Sequence, residues 1–241
     1  MLLFSSKLRN FSRAAEHLSP LESFSLLIAA LVHDVSHPGL NNNYQVATSS
    51  PLALRYNDRS VLENHHCTTA FSIMRKPEND FTCNLTPEQK KEMRNIVVNS
   101  VLATDLASHM EIMAKWNSIV DDFSSEQKEH RLLLLQILLK TADISNPGKP
   151  FELAKTWAHI IQEEMFIQGD TEKKQELKIS PFMDRDQPAL PRMQVNFIEY
   201  IVAPLITSLY KFLSDILPLV ERLGDNKMKW KTILEGSVDV N

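Results

Sequence analysis

Two apolar runs in this 241-residue chain stop in the same way. Leu26-Leu27-Ile28-Ala29-Ala30-Leu31-Val32 leads into His33-Asp34-Val35-Ser36-His37-Pro38-Gly39. Leu132 to Leu139 leads into Lys140-Thr141-Ala142-Asp143-Ile144-Ser145-Asn146-Pro147-Gly148. Each reads as a buried helix that ends on a carboxylate shortly before a Pro-Gly stop. A carboxylate at such a position is costly unless it is paired, capped or bound to a cation. A shared metal explains both helix ends at once. Around Asp34 the spacing adds to this: residues three and four apart share a helix face, so His37 lies beside His33 and Asp34 if the helix reaches it. Pro38 disfavours helical geometry at His37, which places the cluster at a helix end that opens into a cleft. Imidazole and carboxylate are ligands for zinc and similar divalent ions, and one carboxylate can bridge two of them. For a lone histidine, a satisfied polar helix terminus is the better reading; for H-D-x-x-H after a buried helix, metal is preferred.

Five glycines, abundant Leu, Ala, Glu and Lys, and the absence of strand alternation predict an all-α fold, a compact multi-helix bundle. The glycines stand too far apart for a dinucleotide fingerprint, a phosphate-cradling loop or a nucleophile elbow. A net charge of −4 without a basic, aromatic-interleaved run excludes a nucleic-acid footprint. Cys67 and Cys83 fit free thiols in a reducing compartment. No apolar run approaches the roughly 20 residues of a membrane span. The start is too short and too soon polar for a signal peptide, so a cytoplasmic protein is expected.

Along the chain, residues 1–18 are amphipathic, with Leu2, Leu3, Phe4, Leu8, Phe11 and Leu18 at helical spacing. Ser19-Pro20-Leu21-Glu22 is a capping box launching the first buried helix. Residues 39–57 are turn-rich, with a short helix around Leu52–Tyr56. Ser60-Val61-Leu62-Glu63 reads as another capping box, so Glu63 on spacing alone is a capping residue. His65 and His66 point to different faces, and at most one can join a cluster with Glu63. Thr86-Pro87-Glu88-Gln89 caps a helix that carries Thr104 and Asp105. Asp105 and His109 read as a plain surface pair. Ser124-Ser125-Glu126-Gln127 caps the run to Leu139. An amphipathic helix over 150–168 ends at Gly169-Asp170, and 170–190 is a long mobile loop whose Phe182 and Met183 can fold over a site as a lid. The last long helix runs from about Pro191 to Leu223, with Gln194 and Phe197 on one face, by default a solvated amide beside a core ring. Residues 231–241 are expected as a disordered tail, and 1–241 as a single domain.

His33-Asp34-Val35-Ser36-His37-Pro38-Gly39, Asn41-Asn42, Ser60-Val61-Leu62-Glu63-Asn64-His65-His66, Leu102-Ala103-Thr104-Asp105, Ala142-Asp143-Ile144-Ser145-Asn146-Pro147 and Gln168-Gly169-Asp170 occur in one order. Together they resemble the catalytic domain of the class I 3′,5′-cyclic-nucleotide phosphodiesterases, within the HD superfamily of metal-dependent phosphohydrolases. The likeness runs from about Leu3 to Trp230.

The resemblance implies that His33, Asp34 and Asp143 bind a zinc-type ion. Asp34 would bridge to a second ion, magnesium or in its place manganese, held mostly through waters. His37, Glu63 and Thr104 resemble the groups that orient those waters, with Asp105 beside them; this overrides the capping reading of Glu63. Gln194 resembles the glutamine that hydrogen-bonds the purine edge and Phe197 the aromatic that stacks on it, with Ile161 opposite and Met165 and Phe182 lining the same pocket. Asn146 resembles the residue beside an adenine, which leans the substrate toward cAMP; a rotating glutamine amide leaves cGMP open. The implied reaction is hydrolysis to the 5′-monophosphate by a hydroxide bridging two metals, with a histidine acid protonating the 3′ oxygen.

That acid and one further metal histidine belong, by the resemblance, to an H-N-x-x-H stretch ahead of residue 1, and His17 lies outside any such motif. The chain is therefore expected to be an N-terminally incomplete catalytic domain, nearly inactive by itself, with regulatory domains possible upstream. The alternatives are another HD-type phosphohydrolase, or a module that binds cyclic nucleotide without consuming it.

Overall fold

The structure, a computed structural model, describes residues 13–238. Among them there is no strand, and the fold is all-α as expected. The amphipathic stretch read over residues 1–12 lies outside the described residues; Arg13–His17 form a 3-10 turn. The chain makes two compact units, one up to Asp143 and one from Ile144, where the sequence reading has a single domain.

In the first unit, α1 spans Pro20–Val32, opened by the expected box: Ser19 N–H donates to Glu22 (2.8 Å) and Glu22 N–H to Ser19 Oγ (3.2 Å). Two short helices follow, α2 (Asn42–Ala47) and α3 (Pro51–Tyr56). The sequence reading found only the second; the first is capped by Asn41, whose Oδ1 accepts from Tyr44 N–H at 2.9 Å. Then come α4 (Val61–Met74), α5 (Pro87–Leu102, with the Thr86 box in place), α6 (His109–Ile119) and α7 (Lys128–Asp143). Helix α5 packs against both α1 and α7. Leu26, Ala29 and Ala30 of α1, Val97 and Val101 of α5, and Leu134, Leu135, Ile137 and Leu138 of α7 are all buried. Each large apolar side chain so buried contributes roughly 1.5–3 kcal/mol. That core fixes where the ends of α1 and α7 stand.

Three local expectations fail here. Helix α1 stops at Val32, so His33 and His37 do not share a helical face; a turn takes over, with Val35 N–H donating to Val32 O (3.0 Å), His37 N–H to Asp34 O (3.1 Å) and Ser36 left-handed (φ 64°). Ser60 makes no cap, because its own backbone is left-handed (φ 42°) and its hydroxyl is turned to Asp105. Helix α7 begins only at Lys128, since Ser124 N–H is taken by His130 Nδ1 (3.1 Å) and Ser124 Oγ by Glu126 N–H (3.3 Å).

In the second unit, α8 spans Phe151–Lys174 and runs straight through Gly169. That glycine is no helix stop. A Cβ on it would stand 1.8 Å from the Met183 carbonyl oxygen, so it is the place where the following segment crosses the helix. Residues 175–189 are irregular but tied down rather than lid-like. Buried Glu172 accepts from Ser180 N–H (2.6 Å), Ser180 Oγ (2.8 Å) and Gln168 Nε2 (2.8 Å), and Met183 is buried. The expected single last helix is three: α9 (Leu190–Phe197), α10 (Ala203–Phe212) and α11 (Leu217–Val238). A π turn, Ile198–Val202, joins the first two ahead of Pro204, which has no N–H for the carbonyl four residues back. Leu213 (φ −119°, ψ 81°) breaks the second from the third. Helix α11 covers 231–238, the greater part of the expected tail, and packs on α9 through a core that includes Trp230.

Candidate metal centre

His33 is the residue on which α1 ends. Its Nδ1 lies 3.1 Å from the Ala30 carbonyl, which can only accept, so Nδ1 carries the proton and Nε2 is turned outward. Nε2 stands 2.9 Å from Asp34 Oδ2 and 3.4 Å from Asp143 Oδ1, the last residue of α7. One ligand atom from each of the three lies within 4.8 Å of the others. Burial pulls the His33 imidazole down, but hydrogen bonds to Asp143 and then Asp34 outweigh it and push it up to about 10. Burial likewise opposes ionisation of Asp34, yet His33 first, then His66 and His37, hold its carboxyl below the usual range. The cluster attracts positive charge. With only a proton to take, it takes a proton; one nitrogen and two carboxylates are equally the donor set for a borderline divalent ion.

Beside this cluster is a cavity of about 770 Å³ whose walls include His37, Asn42, Ser60, Glu63, Thr104 and Asp105. Asn42 organises one wall: its Nδ2 donates to both oxygens of Glu63 (2.9 and 3.3 Å) and its Oδ1 accepts from Leu62 N–H (2.9 Å). Burial raises the Glu63 carboxyl, Asn42 opposes that, and nearby Asp105 and Asp34 add to the rise. Asp105 Oδ2 accepts from Ser60 Oγ (2.8 Å) and Oδ1 from Ala107 N–H (2.9 Å). Thr104 Oγ1 donates to Val101 O (2.7 Å), leaving its lone pairs available. His37 Nδ1 accepts from Gly39 N–H (3.0 Å), and its ring stacks on His66 with centroids 5.7 Å apart.

His66 is a residue the sequence reading left unassigned. It is buried, its Nδ1 pairs with the Val35 carbonyl (2.8 Å), and its Nε2 lies 3.9 Å from Asp34 Oδ1. Burial lowers its pKa. The signal was its place one turn from Leu62 and one from Ala70, both buried, on the inner face of α4. His109, by contrast, is no surface partner of Asp105. It is buried at the start of α6, and its Nδ1 has no hydrogen-bond partner among the described residues.

The second unit carries the other expected residues. Gln194 is buried and Phe197 half-buried, one turn apart on α9, which packs on α8. Among the described residues no hydrogen bond fixes the Gln194 side-chain amide. Ile161, exposed, and Met165, half-buried, are one turn apart on α8. Phe182 is exposed in a left-handed conformation (φ 65°) next to buried Met183. Asn146 opens the 3-10 turn before α8, and its Oδ1 accepts from Lys149 Nζ at 2.6 Å.

The family described as 3′5′-cyclic nucleotide phosphodiesterase matches residues 1–223. The chain is 40% identical over 208 residues to the human high affinity cGMP-specific 3′,5′-cyclic phosphodiesterase 9A, covering 86% of this chain and 34% of that protein. It is 41% identical over 195 residues to isoform F of a Drosophila melanogaster 3′,5′-cyclic-AMP phosphodiesterase, covering 78% and 30%. The chain thus spans about a third of the length of these two relatives. A solved structure of LmjPDEB1 in complex with IBMX superposes with a TM-score of 0.91 at 32% identity, covering 98% of this chain and 73% of that one. No helix among the described residues is long and apolar enough to cross a membrane.

Proposed function

The chain belongs to the 3′5′-cyclic nucleotide phosphodiesterase family, and we propose that it hydrolyses purine 3′,5′-cyclic nucleotides to 5′-monophosphates with divalent ions held at His33, Asp34 and Asp143. The observation that carries this is the convergence of His33 Nε2 with carboxylates from the ends of α1 and α7. Zinc- and magnesium-type ions at such a site activate water and neutralise charge on phosphoryl oxygens. The protein's own groups do the rest. Asn42 holds the Glu63 carboxylate by both oxygens, and Ser60 holds Asp105, so two acidic walls of the cavity are oriented before any ion arrives. Phe197 offers a ring on which a purine can stack, worth about 0.5–1.5 kcal/mol beyond area burial.

The relatives include both a cGMP-specific and a cyclic-AMP enzyme. The Gln194 amide is free to present either edge, and Asn146 has its oxygen engaged by Lys149, leaving its N–H donors for a base acceptor. Both purines offer edge acceptors, N1 and N7 in adenine and O6 and N7 in guanine. We therefore place cAMP and cGMP both among the substrates.

The test is to incubate the protein with each nucleotide plus zinc and magnesium and to measure 5′-monophosphate. Release that vanishes in Asp34→Asn and Asp143→Asn supports the reading. Cyclic nucleotide bound but not consumed would instead make this a binding module. Turnover of unrelated phosphoesters that ignores Gln194→Ala would point to another HD-type phosphohydrolase.

A further inference from the structure

Lysine 140 is fully buried, in the last turn of α7, where its neighbours Ile137, Leu138, Leu139 and Ala142 are buried apolar residues. An apolar side chain would suit that run, and an ammonium withdrawn from water is costly unless every proton finds an acceptor. Here they do. Nζ donates to the carbonyls of three consecutive residues, Ala103 (2.8 Å), Thr104 (3.4 Å) and Asp105 (3.2 Å). These form the turn that leaves α5, and Thr104 and Asp105 are the two of its residues on the cavity wall with Glu63 and His37. Behind the wall the three carbonyls face one cation; in front, the side chains of Thr104 and Asp105 face the cavity. Ser60 Oγ tethers the turn from α4 through Asp105 Oδ2, while the other side-chain bonds of the turn, Thr104 Oγ1 to Val101 O, Ala107 N–H to Asp105 Oδ1 and Ser108 Oγ to Asp105 O, are local.

Resting on the metal-dependent reading above, we propose that Lys140 is a positioning residue for that reading's second ion. It holds the Ala103–Asp105 turn so that Thr104 and Asp105 stand where a hydrated divalent ion in the cavity needs them. Its charge is set among Asp143, Asp105 and Glu63, which favour the ammonium, although burial pulls it down to about 8. This makes the test directional. If Lys140 acted only as a countercharge, removing it would leave a more negative cavity that binds cations more tightly. If it acts by position, removing it weakens binding.

The experiment is Mn²⁺ binding to the purified protein, followed by electron paramagnetic resonance of the free ion, for wild type and Lys140→Met. The expected result is a dissociation constant raised about 10- to 100-fold, the usual consequence of losing a group that orients metal ligands. In the metal-free variant, hydrogen exchange should accelerate in the peptide containing Ala103–Asp105 and stay unchanged along α5 and α7. Tighter or unaltered Mn²⁺ binding overturns the proposal. So does acceleration spread evenly over both helices, which would mark a general core support. If Lys140→Met does not fold, the wild type decides: Mn²⁺ should slow exchange at Ala103–Asp105, and no change there overturns the proposal. A wild type that binds no Mn²⁺ at all refutes the metal-dependent reading itself.

Discussion

His33 Nε2 and Asp143 Oδ1 face each other at 3.4 Å, although one residue ends α1 and the other ends α7. The contact ties the fold of the first unit to the proposed metal site. Because Asp143 and Asp34 lift the His33 pKa to about 10, the metal-free imidazole is charged at neutral pH. A metal ligand must be neutral, so Zn²⁺ binding must expel that proton. Affinity should rise about tenfold per pH unit between about pH 7 and 9, with about one proton released per ion. Calorimetry in two buffers of different ionisation heat reads this directly, and binding without proton release would refute the assignment of His33 as a ligand.

The same shift has a stability consequence in metal-free protein. The folded-state pKa is raised above the ordinary 6.5, so the stabilisation is complete below about 6.5 and is lost as pH climbs through about 10. Thermal melts of wild type and Asp143→Asn should therefore converge as pH rises across that window. Parallel curves over the whole range would show that the His33–Asp143 contact carries none of the dependence.

The residues of the candidate centre stand out in the sequence because apolar runs end there on charged side chains. Asp34 and Asp143 stand out as carboxylates at the ends of apolar runs; in the structure both lie beside His33, Asp143 half-buried and the Asp34 side chain 60% exposed. The boxes at Ser19 and Thr86 are legible for a different reason, since spacing and backbone agree. What is not legible depends on neighbours remote in sequence. Ser60 has the letters of a cap but gives its hydroxyl to Asp105. Lys140 and His66 look like ordinary polar residues until α5 and the His33 turn are packed against them. Gly169 reads as a stop because glycine ends helices, whereas its role is set by a carbonyl from the segment that crosses over it.

That crossing gives a clean contrast. Gly169→Ala forces a methyl against the Met183 carbonyl and should destabilise by about 1–3 kcal/mol, the usual cost of overpacking. Gly224→Ala, also on a helix but with nothing within 4 Å of the added Cβ, should gain up to about 1 kcal/mol from helix propensity. Denaturant titration of the two variants checks both signs. Equal effects would mean that the 175–189 segment yields freely at Gly169.

Glu172 should govern the order of that same segment. It is buried and accepts three hydrogen bonds, two of them from Ser180. Glu172→Ala removes the acceptor of both Ser180 bonds, at a cost of about 1–3 kcal/mol. Because the bonds lie between α8 and residue 180, amide exchange should rise chiefly over 175–189. Exchange there as slow as in wild type would show that Met183 packing alone holds the segment.

Discrimination between purines should respond to a residue that need not touch the base. Lys149 Nζ takes one lone pair of Asn146 Oδ1 at 2.6 Å, so Asn146 meets a ligand chiefly through its N–H donors. A donor matches the acceptors of either purine but does nothing for the adenine amino group. Lys149→Met keeps the length of the stem and frees the oxygen, which can then accept from that amino group. One neutral hydrogen bond nets about 0.5–1.5 kcal/mol, so affinity for cAMP relative to cGMP should rise about two- to tenfold. Asn146→Ala in the same background should abolish the gain, since the oxygen is then absent. Competition binding of the two nucleotides measures the ratio. An unchanged ratio in Lys149→Met would mean that Asn146 does not read the base and that selectivity rests on Gln194.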